Sequence, residues 1–213
     1  MNLQARWNAL CQTLHLHGDH GVTFQDLCFC YEEPHRHYHT LTHLLQGFEE
    51  IDRLGRETPR LSLIEYAYWF HDAIYVISNS DNELKSAKLA CRVGKQAGLC
   101  EKDLDLIEQL ILATIPSHES RTKEEKLIGD IDLSIFGQNE HFFEAYEQAI
   151  RKEYLCVPDA LFNPGRAAIL QQFLARKTIY HTPFFQQRYE EQARINLQRS
   201  LRRLQCTLAS TMS

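Results

Sequence analysis

Apolar residues recur at intervals of three and four positions along almost the whole chain. Leu3, Trp7, Leu10 and Leu14 form the first such stripe, and this spacing places side chains on one face of an α-helix. No segment shows the strict alternation of apolar and polar residues that is typical of a half-buried strand. The pattern predicts helices over residues 3–14, 24–31, 38–54, 61–75, 83–97, 102–114, 125–136, 140–154, 166–176 and 183–208. We therefore expect an all-α fold, a bundle of about eight to ten helices in a single domain.

Two segments depart from the ordinary amphipathic pattern. Residues 61–75 are almost continuously apolar, which predicts a helix that is buried on most sides. Residues 155–165 contain Pro158 and Pro164, and proline interrupts the interior of a helix. We expect this second segment to be irregular.

The composition is that of an ordinary globular protein, with 44% hydrophobic and 24% charged residues in a chain of 213. A formal net charge of -5 provides no broad positive surface for a long nucleic acid. No apolar run approaches the roughly 20 residues that span a bilayer. The first residues also lack the charged-then-apolar pattern of a signal peptide. These features predict a cytoplasmic protein that does not enter the membrane.

Cysteine and histidine are distributed differently along the chain. The seven cysteines are scattered and form no CxxC pair, which indicates ordinary thiols in a reducing compartment. Seven of the 11 histidines precede Asp52, and four of them lie between residues 35 and 43. The histidines are therefore the first candidates for chemistry.

His71 and Asp72 stand side by side in the most apolar segment. Burying an imidazole beside a carboxylate costs free energy unless a partner compensates. A divalent cation is such a partner, because imidazole nitrogen and carboxylate oxygen both bind first-row metals. The alternative is a histidine at a helix end beside a surface carboxylate.

His39 and His43 are four residues apart. On a helix that begins near Tyr38, this spacing places both imidazoles on one face, one turn from each other. The two can bind a metal together, or one can bind while the other faces a substrate. The alternative is a surface cluster of histidines.

Asp132 lies between two apolar residues, where an unpaired charge would be costly. The alternative is an aspartate at the surface near a helix end. Together, three helical segments offer two nitrogens and two oxygens, from one histidine of the His39/His43 pair and from His71, Asp72 and Asp132. Such a set can hold a hydrolytic metal and leave coordination positions for water.

The order His, His-Asp, Asp on a helical chain resembles the HD superfamily of metal-dependent phosphohydrolases, in which these residues are the metal ligands. Tyr38-His39-x-x-x-His43 is similar to a segment of the cyclic-nucleotide phosphodiesterases, a branch with the same fold. In that branch the first histidine is the general acid and the second is a metal ligand. The resemblance implies an HD-domain helical bundle in which His39 is the acid and His43 binds the metal.

Asp132-Leu-Ser is also similar to the segment around the last ligand of that branch. This chain is shorter, however, and has no second histidine three residues after the His-Asp pair. The catalytic layout is therefore implied, but not the substrate.

The whole chain, from about residue 5 to 205, resembles a compact bacterial group of predicted HD phosphohydrolases. The shared segments are Glu33-Pro-His-Arg-His-Tyr-His39, Trp69-Phe-His-Asp-Ala-Ile-Tyr75, Asn82-Glu83, Ala113-Thr-x-x-x-His118, Asp130-x-Asp-Leu-Ser134, Ile150-Arg-x-Glu-Tyr154 and Gly165-Arg166. This likeness implies a reaction class and not a substrate. It places the metal-site core in about residues 35–135 and the C-terminal helices in about 140–208.

Three further residues are candidates near such a site. Related HD enzymes have an acidic residue after the His-Asp pair that orients the attacking water, and Glu83 follows the pair here. The alternative is an acidic residue that the helix dipole favours in a first turn. His118 and His35 are candidates for contact with a substrate or a second metal, and the alternative for each is an exposed histidine.

Arg151 and Arg166 are candidates for binding the phosphate. A guanidinium presents a planar fork that matches phosphate oxygens. The alternative is a structural ion pair, for instance between Arg151 and Glu147 one turn earlier.

The predicted function is hydrolysis of a phosphate ester or anhydride in a small nucleotide or phosphorylated metabolite. The metal is a divalent ion, and the ligand set accepts manganese, iron, cobalt, nickel, magnesium or zinc. Two alternatives stay open: a nucleotide-sensing module without turnover, and an HD-type di-iron oxygenase. The oxygenase needs six ligands, usually with two further histidines between the His-Asp pair and the last aspartate, and only His118 lies there. The sequence gives no indication of the oligomeric state.

Overall fold

The computed structural model describes residues 1–55 and 58–211, with side chains described up to residue 206. Within this part of the chain there are ten α-helices, one short 3-10 helix and no strand. The helices are α1 Leu3–Thr13, α2 His20–Tyr31, α3 Leu41–Leu54, α4 Leu61–Phe70, α5 Asn82–Gln96, α6 Glu101–Leu112, α7 Lys123–Asp132, the 3-10 helix Leu133–Gly137, α8 Glu140–Glu153, α9 Asp159–Ala175 and α10 Pro183–Thr211. The predicted all-α class is confirmed for the described residues.

The chain divides into two compact units, Met1–Asp132 and Leu133–Ser213. The first unit contains α1 to α7, and the second contains the 3-10 helix and α8 to α10. The four predicted metal ligands all lie in the first unit. The single domain expected from the sequence stays a prediction.

Helix α4 is the centre of the first unit. Seven of its ten residues are buried, and it packs against α1, α3, α5, α6 and α7. The prediction of a helix buried on most sides is therefore confirmed. Two buried tyrosine hydroxyls in this core have backbone partners, as buried hydroxyls require. The Tyr66 hydroxyl donates to the carbonyl of Ala90 at 3.2 Å, and the Tyr31 hydroxyl donates to the carbonyl of Trp69 at 3.1 Å.

Helix α3 approaches α4 closely at Gly47. A Cβ atom at this position would lie 2.1 Å from Cζ of Tyr68, so the ring needs a residue without a side chain opposite it. The Tyr68 hydroxyl donates to the carbonyl of His43 at 3.3 Å. The glycine thus allows Tyr68 to reach the first turn of α3.

The second unit is organised around α10, which packs against α9 and the 3-10 helix. Asn196 on α10 is fully buried. Its amide donates to the carbonyls of Phe136 and Gln138, at 2.8 Å each. These carbonyls lie at the end of the 3-10 helix, where helical hydrogen bonds no longer supply a donor.

Helix α9 corrects the prediction for residues 155–165. It begins at Asp159 and contains Pro164. Proline costs a hydrogen bond inside a helix, but its fixed φ is itself helical. The start of the helix is anchored from α8, because Nε of Arg151 donates to Oδ1 of Asp159 at 3.0 Å. This anchor lies before the proline and holds the first turn in place.

Helix α2 begins earlier than the predicted residue 24. Asp19 caps it, because its carboxylate accepts the amides of Gly21 and Val22 at 2.9 and 3.1 Å. A side-chain acceptor of this kind supplies a partner for the first amides of a helix. The apolar pattern alone did not locate this start.

None of the helices in the described part of the chain is both long and apolar enough to cross a membrane.

Replacing Gly47 with alanine is expected to destabilise the first unit. The new methyl group would overlap the Tyr68 ring, and overpacking of this kind costs about 1–3 kcal/mol of unfolding free energy. Thermal or urea unfolding measures the change. Gly129→Ala is the matched control, because its Cβ would meet only the carbonyl of Ala113 at 3.8 Å. Equal stability of the Gly47→Ala variant and the unchanged chain would contradict the packing described above.

Candidate metal centre

The predicted ligands His43, His71, Asp72 and Asp132 come together in the first unit, and we call this group the His2Asp2 cluster. Each residue offers one ligand atom, and all four atoms lie within 4.8 Å of one another. Both histidines are buried, whereas the side chains of Asp72 and Asp132 are 16% and 21% exposed. The cluster is therefore a buried polar group with its carboxylates toward solvent.

Three helix ends supply the cluster. His43 lies in the first turn of α3, and Asp132 is the last residue of α7. His71 is the C-cap of α4, and Asp72 follows it in a turn. Helix α4 ends at Phe70 and not at the predicted residue 75, so the His-Asp pair lies just beyond the helix. Since α3, α4 and α7 pack against one another, their ends bring the ligands together.

The distances between ligand atoms fit a single divalent ion. Nε2 of His71 lies 3.0 Å from Oδ2 of Asp72, 3.1 Å from Nε2 of His43 and 3.4 Å from Oδ1 of Asp132. Nε2 of His43 lies 3.1 Å from Oδ1 of Asp132 and 3.6 Å from Oδ2 of Asp72. Metal–ligand bonds of about 2.1 Å place neighbouring ligands about 3.0 Å apart in an octahedron and about 3.4 Å apart in a tetrahedron. The five distances lie close to these two values.

The His71 ring is held in the orientation that a metal ligand needs. Its Nδ1 lies 2.8 Å from the carbonyl oxygen of Tyr68, and because a carbonyl only accepts, Nδ1 carries the proton of that hydrogen bond. Nε2 is then the nitrogen that faces the cluster. The ring also stacks on the Tyr68 ring, with centroids 4.5 Å apart and planes 16° apart. A backbone partner of this kind fixes the tautomer of a metal-binding histidine.

The charges of the cluster favour a cation. Burial lowers the pKa of His43 below its ordinary value. Burial acts in the same direction on His71, but the carboxylates of Asp72 and Asp132 outweigh it and hold the pKa of His71 well above its ordinary value. Burial would raise the pKa of both carboxyl groups, yet the imidazoles of His71, His39 and His43 hold the pKa of Asp72 below its usual range, and those of His43 and His71 do the same for Asp132. Two ionised carboxylates beside two imidazoles form a ligand set that a divalent ion neutralises.

His39 lies beside the cluster but not on helix α3. Thr40 is the N-cap, with its hydroxyl accepting the amide of Thr42 at 3.3 Å, so α3 begins at Leu41. The prediction that His39 and His43 share a helix face is therefore wrong, because the capping residue between them is extended. Their ring centroids are nevertheless 5.9 Å apart. His39 is thus close to the His2Asp2 cluster without being one of its four members.

Arg36 is a residue of this site that the sequence analysis missed. Its side chain is fully buried, and it donates to the carbonyls of His39, Asp72 and Ala73 at 3.1, 2.6 and 3.1 Å. Its Nε also donates to Oε2 of Glu33 at 2.9 Å. Arg36 does lie inside the segment that resembles the HD group. Its partners, however, are mostly backbone carbonyls, which the pattern of side chains does not identify.

Glu83 and His35 have different surroundings: Glu83 is influenced by the charges of the cluster, whereas His35 is exposed. Glu83 is in the first turn of α5; burial raises its pKa, and the carboxylates of Asp72 and Asp132 raise it further. It is therefore within electrostatic reach of the cluster. His35 is exposed, and its Nε2 lies 2.9 Å from the carbonyl oxygen of Tyr75. The catalytic role of Glu83 and the substrate contact of His35 stay predictions.

His118 is not a member of the cluster. Its Nε2 lies 3.5 Å from Oε2 of Glu125, and Glu125 is itself buried and accepts the amide of Arg121 at 2.7 Å. The structure thus gives His118 an acidic partner within the first unit. Its predicted contact with a substrate or a second metal stays a prediction.

Arg151 and Arg166 both lie in the second unit and both have acidic partners. Arg151 pairs with Asp159 and donates to the carbonyl of Val157 at 3.1 Å. Arg166 is buried, pairs with Glu147 and donates to the hydroxyl of Tyr146 at 2.7 Å. The pairing partner of Glu147 is therefore Arg166, where the sequence suggested Arg151. Phosphate binding by either arginine stays a prediction.

No protein-family model matches the chain, and no curated protein and no solved structure matches it either. Membership of the HD superfamily therefore stays a prediction.

Replacing Asp72 with alanine is expected to abolish stabilisation by added divalent metal. An ion that binds only the folded chain raises the unfolding free energy by about 2.7 kcal/mol at 100 times its dissociation constant. Thermal unfolding with and without Mn²⁺ or Co²⁺ measures the shift. Asp105→Ala is the matched control, because Asp105 is an exposed aspartate on α6 of the same unit. An undiminished metal shift in the Asp72 variant would show that the ion binds elsewhere.

Proposed function

We propose that this chain is a metal-dependent hydrolase that cleaves a phosphate ester or anhydride in a small nucleotide or phosphorylated metabolite. The observation that carries the proposal is the His2Asp2 cluster with His39 beside it. The cluster offers two nitrogens and two oxygens at the spacing of a single ion, and His39 adds an imidazole outside that set. The proposal includes an HD-type arrangement of the helices and a cytoplasmic location.

The four cluster residues would hold a divalent ion, and their donor atoms suit manganese, iron, cobalt, nickel, magnesium or zinc. Such an ion supplies Lewis acidity toward a phosphoryl oxygen and lowers the pKa of water. The hydrogen bond from Nδ1 of His71 to the carbonyl of Tyr68 would keep Nε2 of His71 available as the ligand nitrogen.

His39 acts in this proposal as the general acid. Imidazole is the side chain best suited to give up a proton near neutral pH. Because His39 is not one of the four ligands, its ring can keep a proton and pass it to the leaving oxygen of the substrate. The proposal is supported by its position beside both His43 and Tyr75, whose ring centroids lie 5.9 and 4.2 Å from that of His39.

Glu83 is the proposed base that orients the attacking water. Burial raises its pKa, and a carboxylate with a raised pKa accepts a proton more readily at neutral pH. It lies at the start of α5, where the helix dipole favours the carboxylate form, so the dipole acts on the pKa in the direction opposite to burial.

The charges of the chain are the reason for proposing a small substrate. The net charge is -5, and Arg151 and Arg166 are already paired with Asp159 and Glu147. We therefore assign neutralisation of the phosphate charge to the divalent ion. A long polynucleotide would need many further cationic side chains.

Replacing His39 with glutamine is expected to leave metal binding intact and to reduce kcat by about 10²–10⁴-fold, the usual contribution of general acid catalysis. The measurement is a screen of bis(p-nitrophenyl) phosphate and a panel of nucleotides with Mn²⁺, Co²⁺, Ni²⁺, Mg²⁺ and Zn²⁺. His141→Gln is the control, because His141 is an exposed histidine on α8 of the second unit. The acid assignment is wrong if the His39 variant turns over at the rate of the unchanged chain.

The same screen separates the two alternative functions. Metal binding without hydrolysis of any substrate would favour a nucleotide-sensing module. Bound iron with oxygen-dependent turnover would favour an oxygenase. Either outcome would overturn the proposal of a hydrolase.

A further inference from the structure

We infer that Arg36 is a positioning residue of this site: its guanidinium sets the backbone of the segment that carries His39 against the turn that carries Asp72. The inference rests on the proposed function, because it takes the His2Asp2 cluster to be a metal site. Its test, however, uses metal binding and not turnover.

The guanidinium joins two parts of the chain that are distant in sequence. Its Nη1 atom donates both to the carbonyl of His39, at 3.1 Å, and to the carbonyl of Asp72, at 2.6 Å. Its Nη2 atom donates to the carbonyl of Ala73 at 3.1 Å. The planar fork of arginine can hold several acceptors in one fixed geometry.

Neither joined segment is held by a helix. Helix α4 ends at Phe70, before Asp72, and helix α3 begins at Leu41, after His39. The carbonyls that Arg36 binds therefore belong to connecting backbone, which has no helical hydrogen bonds to keep it in place. The carbonyls of His39 and Asp72 each belong to a residue whose side chain lies at the cluster, so fixing the carbonyl also fixes the backbone position from which that side chain extends.

Aromatic rings provide a second route from Arg36 to His39. The guanidinium carbon lies 5.4 Å from the centroid of the Tyr75 ring and 5.2 Å from that of Tyr31. The Tyr75 ring in turn contacts the His39 ring, with centroids 4.2 Å apart. Backbone and ring contacts thus act on the same histidine.

The choice of arginine is explained by geometry more than by stability. A fully buried cation costs free energy unless its donors have partners, and its carboxylate partner Glu33 is itself 38% exposed. The other three partners are backbone carbonyls, and two of these belong to His39 and Asp72. A lysine would keep the charge, but its single ammonium cannot reproduce the fork.

The test is a titration of the Arg36→Lys variant with Co²⁺ alone, followed by visible absorption, whose band positions and intensities report the coordination geometry. We expect a dissociation constant about 10–100-fold higher than in the unchanged chain, the usual effect of disturbing residues behind the ligands, together with altered bands. Circular dichroism and thermal unfolding establish that the variant is folded at the temperature of the titration.

Two further variants keep the test decisive. Arg6→Lys is the matched control, because Arg6 is also largely buried in the first unit but binds the carboxylates of Glu65 and Asp52. It should unfold at a lower temperature and bind Co²⁺ as tightly as the unchanged chain. Glu33→Gln removes the charged partner of the guanidinium but keeps Arg36 itself, so it replaces Arg36→Lys in the test if that variant does not fold. We expect Glu33→Gln to weaken Co²⁺ binding several-fold.

The outcomes distinguish this inference from the proposed function. If the unchanged chain binds no Co²⁺, the metal site fails and the role of Arg36 falls with it. If the unchanged chain binds Co²⁺ and the folded Arg36→Lys variant, or Glu33→Gln in its place, binds it equally with the same bands, then only the role of Arg36 is overturned. Weaker binding with altered bands, alongside an unaffected Arg6→Lys variant, supports the inference.

Discussion

The hydrogen bonds from the buried Arg36 guanidinium to backbone carbonyls are the interaction on which the geometry of the site depends. They join the segment before α3 to the turn after α4, two stretches of backbone that lie outside the helices. A buried cation without partners would be strongly unfavourable. The same contacts that satisfy the cation therefore also define where His39 and Asp72 lie.

Helix α4 provides the support for this arrangement. Its apolar side chains are buried on most sides, so the position of its C-terminal end is set by the surrounding helices. Tyr68 links that end to the cluster in two ways, because its carbonyl accepts a hydrogen bond from His71 and its ring stacks on the same imidazole. The close approach of Gly47 gives the Tyr68 ring the space it needs. Core packing and ligand orientation are thus coupled through one residue.

The cluster illustrates why charged groups are placed at helix ends. His43, His71 and Asp132 occupy the start of α3, the C-cap of α4 and the last position of α7. Side chains at helix ends can converge on one point from several directions, whereas the middle of a packed helix is filled by apolar neighbours. The opposite pKa shifts of the histidines and the lowered pKa values of the carboxyl groups follow from this convergence, and the two carboxylates are what makes the group suited to a cation.

The sequence by itself determined the all-helical class and three members of the cluster, His71, Asp72 and Asp132, and the resemblance to the HD superfamily selected His43 over His39 as the fourth. Helical periodicity is a local property, and a charge among apolar neighbours is recognisable without knowing the fold. The sequence did not determine where α3 begins, because the cap at Thr40 outweighs the spacing of His39 and His43. It also did not show that α9 continues through Pro164, because the contact from Arg151 that holds the first turn of α9 comes from another helix. The carbonyl partners of Arg36 were decided only by the tertiary structure. Those partners are main-chain carbonyls up to 37 residues away, and every residue has such a carbonyl, so no pattern of side chains can single them out.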